Sequence, residues 1–324
     1  MACCPKSIIA DILKAREDKG SIVNVYYVAC GGSYAGLHPG KYFLQSEAKK
    51  VTVDHYTANE FCHATPKALG PNSIVITQSH SGTTPETVKA AEIAQKAGAA
   101  SVVITFDDQS PLAKNGDYVL KYEAKATADM TGMAFGLKLA VEILNQIEGY
   151  ENYDEMMNGF DRIDGIVKHA KEFLTPRAKV FAEEYKDEKL IYMMGSGANY
   201  NVAYSFAICL LMEMQWVNSS AIHSGEYFHG PFEITDRETP FIILMSEGRT
   251  RPLDQRALDF LNIFAEKVII LDAKELGLET IDDKVSEFFN PLLMGAALGC
   301  YSYELSIARK HPLSCRRYMW KLQY

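Results

Sequence analysis

Short apolar runs separated by stretches of helical character set the fold of this chain before any single residue does. In the first half the runs are Val23 to Ala29, Val51 to Asp54, Ser73 to Thr77, Ser101 to Phe106 and Tyr118 to Tyr122. They are rich in Val, Ile and Tyr and lack clean polar alternation, the pattern of strands buried on both sides. Strand and helix in alternation give a parallel sheet covered by helices on both faces, the α/β class. One misfit is the segment after Ser33, which carries Gly36, Pro39 and Gly40, so a delayed or broken helix is expected there.

The second half repeats the plan. Lys189 to Met194 leads into Gly195-Ser196-Gly197 and a helix from about Asn199 to Val217, as Val25 to Ala29 leads into Cys30-Gly31-Gly32-Ser33. The loop Ser246-Glu247-Gly248-Arg249-Thr250-Arg251-Pro252 echoes Ser79-His80-Ser81-Gly82-Thr83-Thr84-Pro85. An internal duplication follows, with domains expected at 1–155 and 156–324. The crossover between them is a helical piece ending near Leu174-Thr175-Pro176. A chain of 324 residues with 48% hydrophobic content is long enough for two such cores.

The loop from Ser79 to Pro85 joins a strand to a helical pattern ending at Gly98. Pro85 suits the first helical position, Thr84 can cap, and the first amides of the helix have no intrahelical partner. Hydroxyls of Ser79, Ser81, Thr83 and Thr84 add donors where the helix dipole favours negative charge, so a phosphate can bind without Lys or Arg. A phosphorylated small molecule is the first expectation. In the second copy Glu247 stands in place of His80 and would repel phosphate, so only the first copy is expected to keep the anion site, the second donating other groups to a shared cleft.

Composition narrows the classes. A net charge of −8 argues against a nucleic-acid surface. Seven scattered cysteines, Cys3 and Cys4 among them, are never spaced as C-x-x-C and fit a reducing cytoplasm. Eight histidines without H-x-x-x-H pairing give no warrant for a metal. The N-terminus shows no basic-then-apolar signal, and the longest apolar run, Val202 to Val217, is too short and is interrupted by Glu213, so no membrane anchoring is expected.

Phe206, Cys209, Leu210, Glu213 and Val217 recur at helical spacing, which sets Glu213 in an apolar stripe. Desolvation there would raise its pKa towards neutrality and suit it to proton transfer. His229 lies in a loop stiffened by Gly225, Gly230 and Pro231, with Glu226 as a rival carboxylate; spacing alone leaves the choice between Glu213 and Glu226 open. The C-terminus, Arg316 to Tyr324, is basic and aromatic and is expected to pack down, so that Lys321 or an arginine faces the cleft.

These motifs together resemble the sugar isomerase (SIS) domain family over nearly the whole chain. Within it the chain is similar to the fructosamine-6-phosphate deglycases and to the isomerase half of glucosamine-6-phosphate synthase. The resemblance implies two three-layer αβα domains related by duplication. It implies a sugar-phosphate site at Ser79, His80, Ser81 and Thr84 assisted by Gly32 and Ser33, with His80 where the synthase usually has glutamine. It further implies proton transfer by Glu213, ring opening by His229 reaching in from a neighbouring subunit, and a match of Lys321 to the synthase's Schiff-base lysine. No glutaminase segment precedes Cys3 and Cys4, so ammonia from glutamine is not expected. The expected activity is hydrolysis of a fructosamine 6-phosphate to glucose 6-phosphate and an amino acid, without cofactor, in a cytoplasmic homodimer with shared active sites. An aldose-ketose isomerase or a glucosamine-6-phosphate deaminase would use the same groups, and a non-catalytic sugar-phosphate sensor would bind without turnover.

Overall fold

A computed structural model of the chain describes residues 4–123 and 126–323, so that Cys3 and Tyr324 lie outside the described residues. The chain divides into two compact units, residues 1–157 and residues 158–324.

The first unit contains α1 (Pro5–Lys14), β1 (Asn24–Ala29), α2 (Gly31–Glu47), β2 (Thr52–Thr57), α3 (Ala58–His63), β3 (Ser73–Ser79), α4 (Pro85–Lys96), β4 (Ala100–Thr105), β5 (Tyr118–Lys121) and α5 (Gly132–Glu148). Its five strands pair in the order β2-β1-β3-β4-β5, each pair parallel. Alternate residues of β1 serve opposite faces. Tyr26 and Val28 pack with Ala58 and Phe61 of α3 and Ala90 and Ala94 of α4. Tyr27 points the other way, and its hydroxyl donates to the Gly136 carbonyl of α5 at 3.4 Å.

The break expected after Ser33 does not occur, and α2 runs unbroken through Gly36, Pro39 and Gly40. Packing overrides propensity here. A Cβ on Gly40 would lie 2.4 Å from the Gly136 carbonyl oxygen and 2.6 Å from the Tyr27 hydroxyl, so the absent side chain is what lets α2 approach α5. Burial of Leu37, Phe43 and Leu44 then offsets the hydrogen bond that Pro39 cannot make.

The second unit contains most of α6 (Tyr153–Tyr185), then β6 (Leu190–Gly195), α7 (Tyr200–Ser205), β7 (Asn218–His223), β8 (Phe241–Met245), α8 (Arg251–Phe264), β9 (Val268–Asp272) and α9 (Asn290–Ala308). Its strands are parallel in the order β7-β6-β8-β9, which repeats β2-β1-β3-β4. The duplication seen in the loops is therefore a duplication of topology. The helix expected to end near Pro176 continues to Tyr185. Its buried stripe of Phe160, Ile163, Val167, Ala170, Leu174, Ala178 and Phe181 spans the proline and holds the helix together across it.

Between Asn199 and Val217 the chain does not form the single α-helix that the spacing suggested. It opens with a 3₁₀ turn at Gly197–Asn199, continues as α7, and widens into a π-helical stretch at Phe206–Met214. Phe206, Ala207 and Leu211 are its buried residues, whereas Cys209 and Leu210 are only half-buried. Trp216, just beyond, adopts a left-handed backbone at φ 56, costly for a bulky residue and found where the surroundings enforce it. No described helix is long and apolar enough to cross a membrane.

On edge strand β2, His55 stacks on Tyr34 at 3.8 Å, and its Nε2 is buried without a hydrogen-bond partner. Burial first, then the nearby charges of His38 and Lys41, push its pKa down to about 3. The folded protein thus refuses a proton that the unfolded chain takes up near pH 6.5. This contribution to stability is present above pH 6.5 and is lost as the pH falls towards 3, at about 1.4 kcal/mol per pH unit. Urea unfolding at pH 7 and pH 5 checks it: the wild type should lose stability between the two, and a His55→Phe variant should lose markedly less.

Candidate functional site

At the end of β1 the turn Cys30 to Ser33 opens α2, with Gly31 at φ 55, a conformation that favours glycine. At the end of neighbouring β3 the loop Ser79 to Thr84 opens α4. Ala29 pairs with Gln78 in register, so both turns leave the sheet side by side, and the Thr87 hydroxyl of α4 contacts Cys30 Sγ at 4.0 Å. Because α2 packs on the Tyr27 face and α4 on the Tyr26 face, the chain departs in opposite directions. A crevice at such a divergence is where open parallel sheets bind ligands.

The loop is built from its own hydroxyls. Ser79 Oγ accepts from the Gly82 amide at 3.2 Å and shares a hydrogen bond with Thr84 Oγ1 at 2.9 Å. Ser81 Oγ accepts from the Thr83 amide at 3.2 Å and meets Thr83 Oγ1 at 2.8 Å. Gly82 is required twice over: its φ is 66, and a Cβ would lie 2.0 Å from Ser110 Oγ. Thr84 occupies the cap position of α4, but its hydroxyl turns to Ser79 and caps no amide. The cap expected from the sequence is thus diverted, which leaves the leading amides of α4 to an external acceptor.

His80 is exposed yet held. Its Nδ1 shares a hydrogen bond with the Tyr122 hydroxyl at 2.9 Å, and its ring stacks on Phe106 at 5.2 Å. Burial pushes the Tyr122 phenol up to about 12, so it remains protonated as that partner. Sequence reasoning missed Tyr122, Phe106 and Ser110, and also Gln78, whose Oε1 is buried without a partner. Gly32 is exposed and Ser33 half-buried at the adjoining turn.

The corresponding loop of the second unit is filled by the protein itself. The Arg249 amide donates to Glu287 Oε2 at 2.9 Å, and the Arg249 side chain donates to Glu287 Oε1 at 2.8 Å. The Ser246 amide donates to Asp254 at 3.0 Å, and the Ser224 hydroxyl to the same carboxyl at 2.7 Å. Burial pushes the Asp254 carboxyl up, against the lowering pull of these serine contacts. Glu247 supplies a further negative charge, as anticipated, but Glu287 is the carboxylate that takes the loop amide.

Glu213 lies at the end of the π-helical stretch, its side chain 21% exposed, and forms an ion pair at 2.7 Å with Arg316 of the C-terminal segment. The two residues share the wall of a cavity of about 690 Å³, whose other walls include Ile208, Met212, Trp216, Arg317 and Leu322. Arg317 stacks over Trp216 at 4.4 Å and Arg316 over Trp320 at 4.9 Å. The C-terminal segment does not pack down as its composition suggested: Arg316 is buried, but Tyr318, Trp320 and Leu322 stay exposed, and Lys321, also exposed, donates to the Arg316 carbonyl at 2.5 Å rather than facing a cleft. His229 is exposed in the loop after β7, braced by its amide on the Glu226 carbonyl at 2.9 Å, and Glu226 is exposed beside it. Among the described residues no hydrogen bond or ion pair joins His229 to Glu213, and no group of His, Cys, Asp and Glu is arranged to hold a metal ion.

Comparison with known proteins matches the SIS domain model to residues 21–146 and 184–277. The chain is 45% identical over 306 residues to fructosamine deglycase FrlB of Bacillus subtilis, covering 94% of this chain and 93% of that one. It is 26% identical to the fructoselysine 6-phosphate deglycase of Escherichia coli K12, covering 93% and 86%. A solved structure from Salmonella typhimurium LT2 superposes with a TM-score of 0.95 at 47% identity, covering 99% and 96%.

Ser79 is the testable centre of this hydroxyl loop. Ser79→Ala should weaken glucose 6-phosphate binding about tenfold, the worth of one hydrogen bond to a charged group together with the loop order it maintains. Isothermal titration against the wild type reads this directly, and an unchanged Kd would exclude the loop.

Proposed function

This chain belongs to the SIS domain family, and from that footing we propose that it is a deglycase, hydrolysing a fructosamine 6-phosphate to glucose 6-phosphate and a free amino acid. The observation that carries this reading is Glu213, a carboxylate in the wall of a largely apolar cavity beside a cation. Likeness along almost the full length to a fructosamine deglycase supports it.

The phosphate ester is held by the Ser79, Ser81 and Thr84 hydroxyls, His80 and the leading amides of α4, with Gly32 and Ser33 at the adjoining turn. His229 assists opening of the sugar ring. Glu213 removes a proton from carbon 1, generating an enaminol, and a proton returned at carbon 2 moves the carbon–nitrogen double bond to carbon 1. Water adds to that bond and the amine leaves, so one water is consumed for each glucose 6-phosphate and amino acid formed. Lys321 binds substrate or steadies the segment that carries Arg316; the substrate already holds its nitrogen, so no covalent amine is needed.

Removing a proton-transfer group costs on the order of 100- to 10,000-fold. Glu213→Gln and His229→Asn should each lose that much kcat on a fructosamine 6-phosphate, scored as free amino acid against ammonia; near-normal turnover by either would refute its role. The exposed position of His229 suits it to serve a second copy, so we read the enzyme as a cytoplasmic homodimer with shared sites. Two individually inactive variants then complement. Mixing Glu213→Gln with His229→Asn chains and allowing exchange should restore about a quarter of wild-type activity, because half the dimers are mixed and each mixed dimer holds one intact site. No recovery after verified exchange would place both residues on one chain.

A further inference from the structure

Carbon 1 of a ketosamine carries both the proton to be removed and the nitrogen to be released. Wherever Glu213 reaches that carbon, the group borne by the nitrogen must lie in the space Glu213 faces. That space is the cavity of about 690 Å³ between the π-helical stretch and the C-terminal segment, within the range that holds small ligands. Its aliphatic and aromatic walls, Ile208, Met212, Trp216 and Leu322, contain one buried cation, Arg316.

The hydrogen bonding of Arg316 is incomplete. The residue is 9% exposed; one end of its guanidinium pairs with Glu213 at 2.7 Å, and Nη1 donates to the Leu313 and Cys315 carbonyls at 2.8 and 2.7 Å. Its Nε is buried with no partner. An unsatisfied donor on a buried guanidinium in a cavity wall is costly unless something is meant to bind it. A carboxylate fits that vacancy because the guanidinium fork matches it.

Resting on the deglycase reading, we propose that Arg316 is the specificity residue that recognises the carboxylate of the amino acid being released. Binding draws the guanidinium from Glu213 towards the substrate and frees Glu213 to face carbon 1. A near-attack contact from Glu213 places carbon 1 about 3 Å away, and Arg316 touches that same carboxylate. The arrangement favours an amino acid joined through its α-nitrogen, whose carboxylate follows the nitrogen by a single carbon. Arg317, stacked outside on Trp216, completes the positive rim.

The test uses the whole enzyme and two substrates that differ only in charge at this point: the fructosamine 6-phosphates of glycine and of glycinamide. The wild type should prefer the glycine adduct by about 10- to 100-fold in kcat/KM, with part of the loss in kcat, because without a substrate carboxylate Arg316 stays on Glu213. Arg316→Gln should erase the preference. If that variant does not fold, the wild-type comparison still decides. Equal rates on the two adducts would overturn the role of Arg316 and leave the deglycase reading standing. Absence of glucose 6-phosphate from both adducts would overturn that reading, and this inference with it.

Discussion

The parting of the chain at the ends of β1 and β3 governs what the first unit can hold. Parallel strands must be joined by crossovers, and in this sheet the crossover after β1 goes to one face while that after β3 goes to the other. The backbone amides at the start of α4 are left between them with nothing inside the helix to bind. Everything nearby respects that vacancy: Gly82 admits no side chain, Thr84 turns its hydroxyl aside, and Ser79 ties the loop at both ends. The cradle is a product of topology, and its hydroxyls only refine it.

Much of this was legible because it is local. The strands of the first sheet stand out as runs of Val, Ile and Tyr, and the order strand, hydroxyl loop, proline, helix lies in consecutive residues. Where side chains far apart decide, the sequence was silent. Gly36, Pro39 and Gly40 read as a broken helix because a glycine's propensity is local, whereas its use against Gly136 and Tyr27 is not. Pro176 misled in the same way, outweighed by an apolar stripe continuing on both sides. Edge strand β7 escaped notice because Asn218, Ser219 and Ser220 face solvent or half-bury, with little apolar signal. The apolar run of β9, by contrast, was within reach of the duplication.

The candidate site divides along the same line. Ser79, Ser81 and Thr84 were found from spacing, and the structure sets them in one loop. Glu213 was singled out on a helical period that the chain does not keep, and it was preferred to Glu226 only through the family resemblance; its place is fixed by a π-helical widening and by Trp216 in a left-handed conformation, neither of which leaves a mark in composition. Its ion pair with Arg316 joins residues far apart in the chain, and no pattern of neighbours announces it.

Glu287 carries a final consequence. In the second unit a carboxylate on the chain itself fills the loop that matches the proposed phosphate cradle, tethered there without the loss of freedom a dissolved anion suffers. On the proposed reading, duplication did not double the capacity of the molecule. Each polypeptide should saturate with a single equivalent of phosphate ester, and a titration of the wild type should show one class of site.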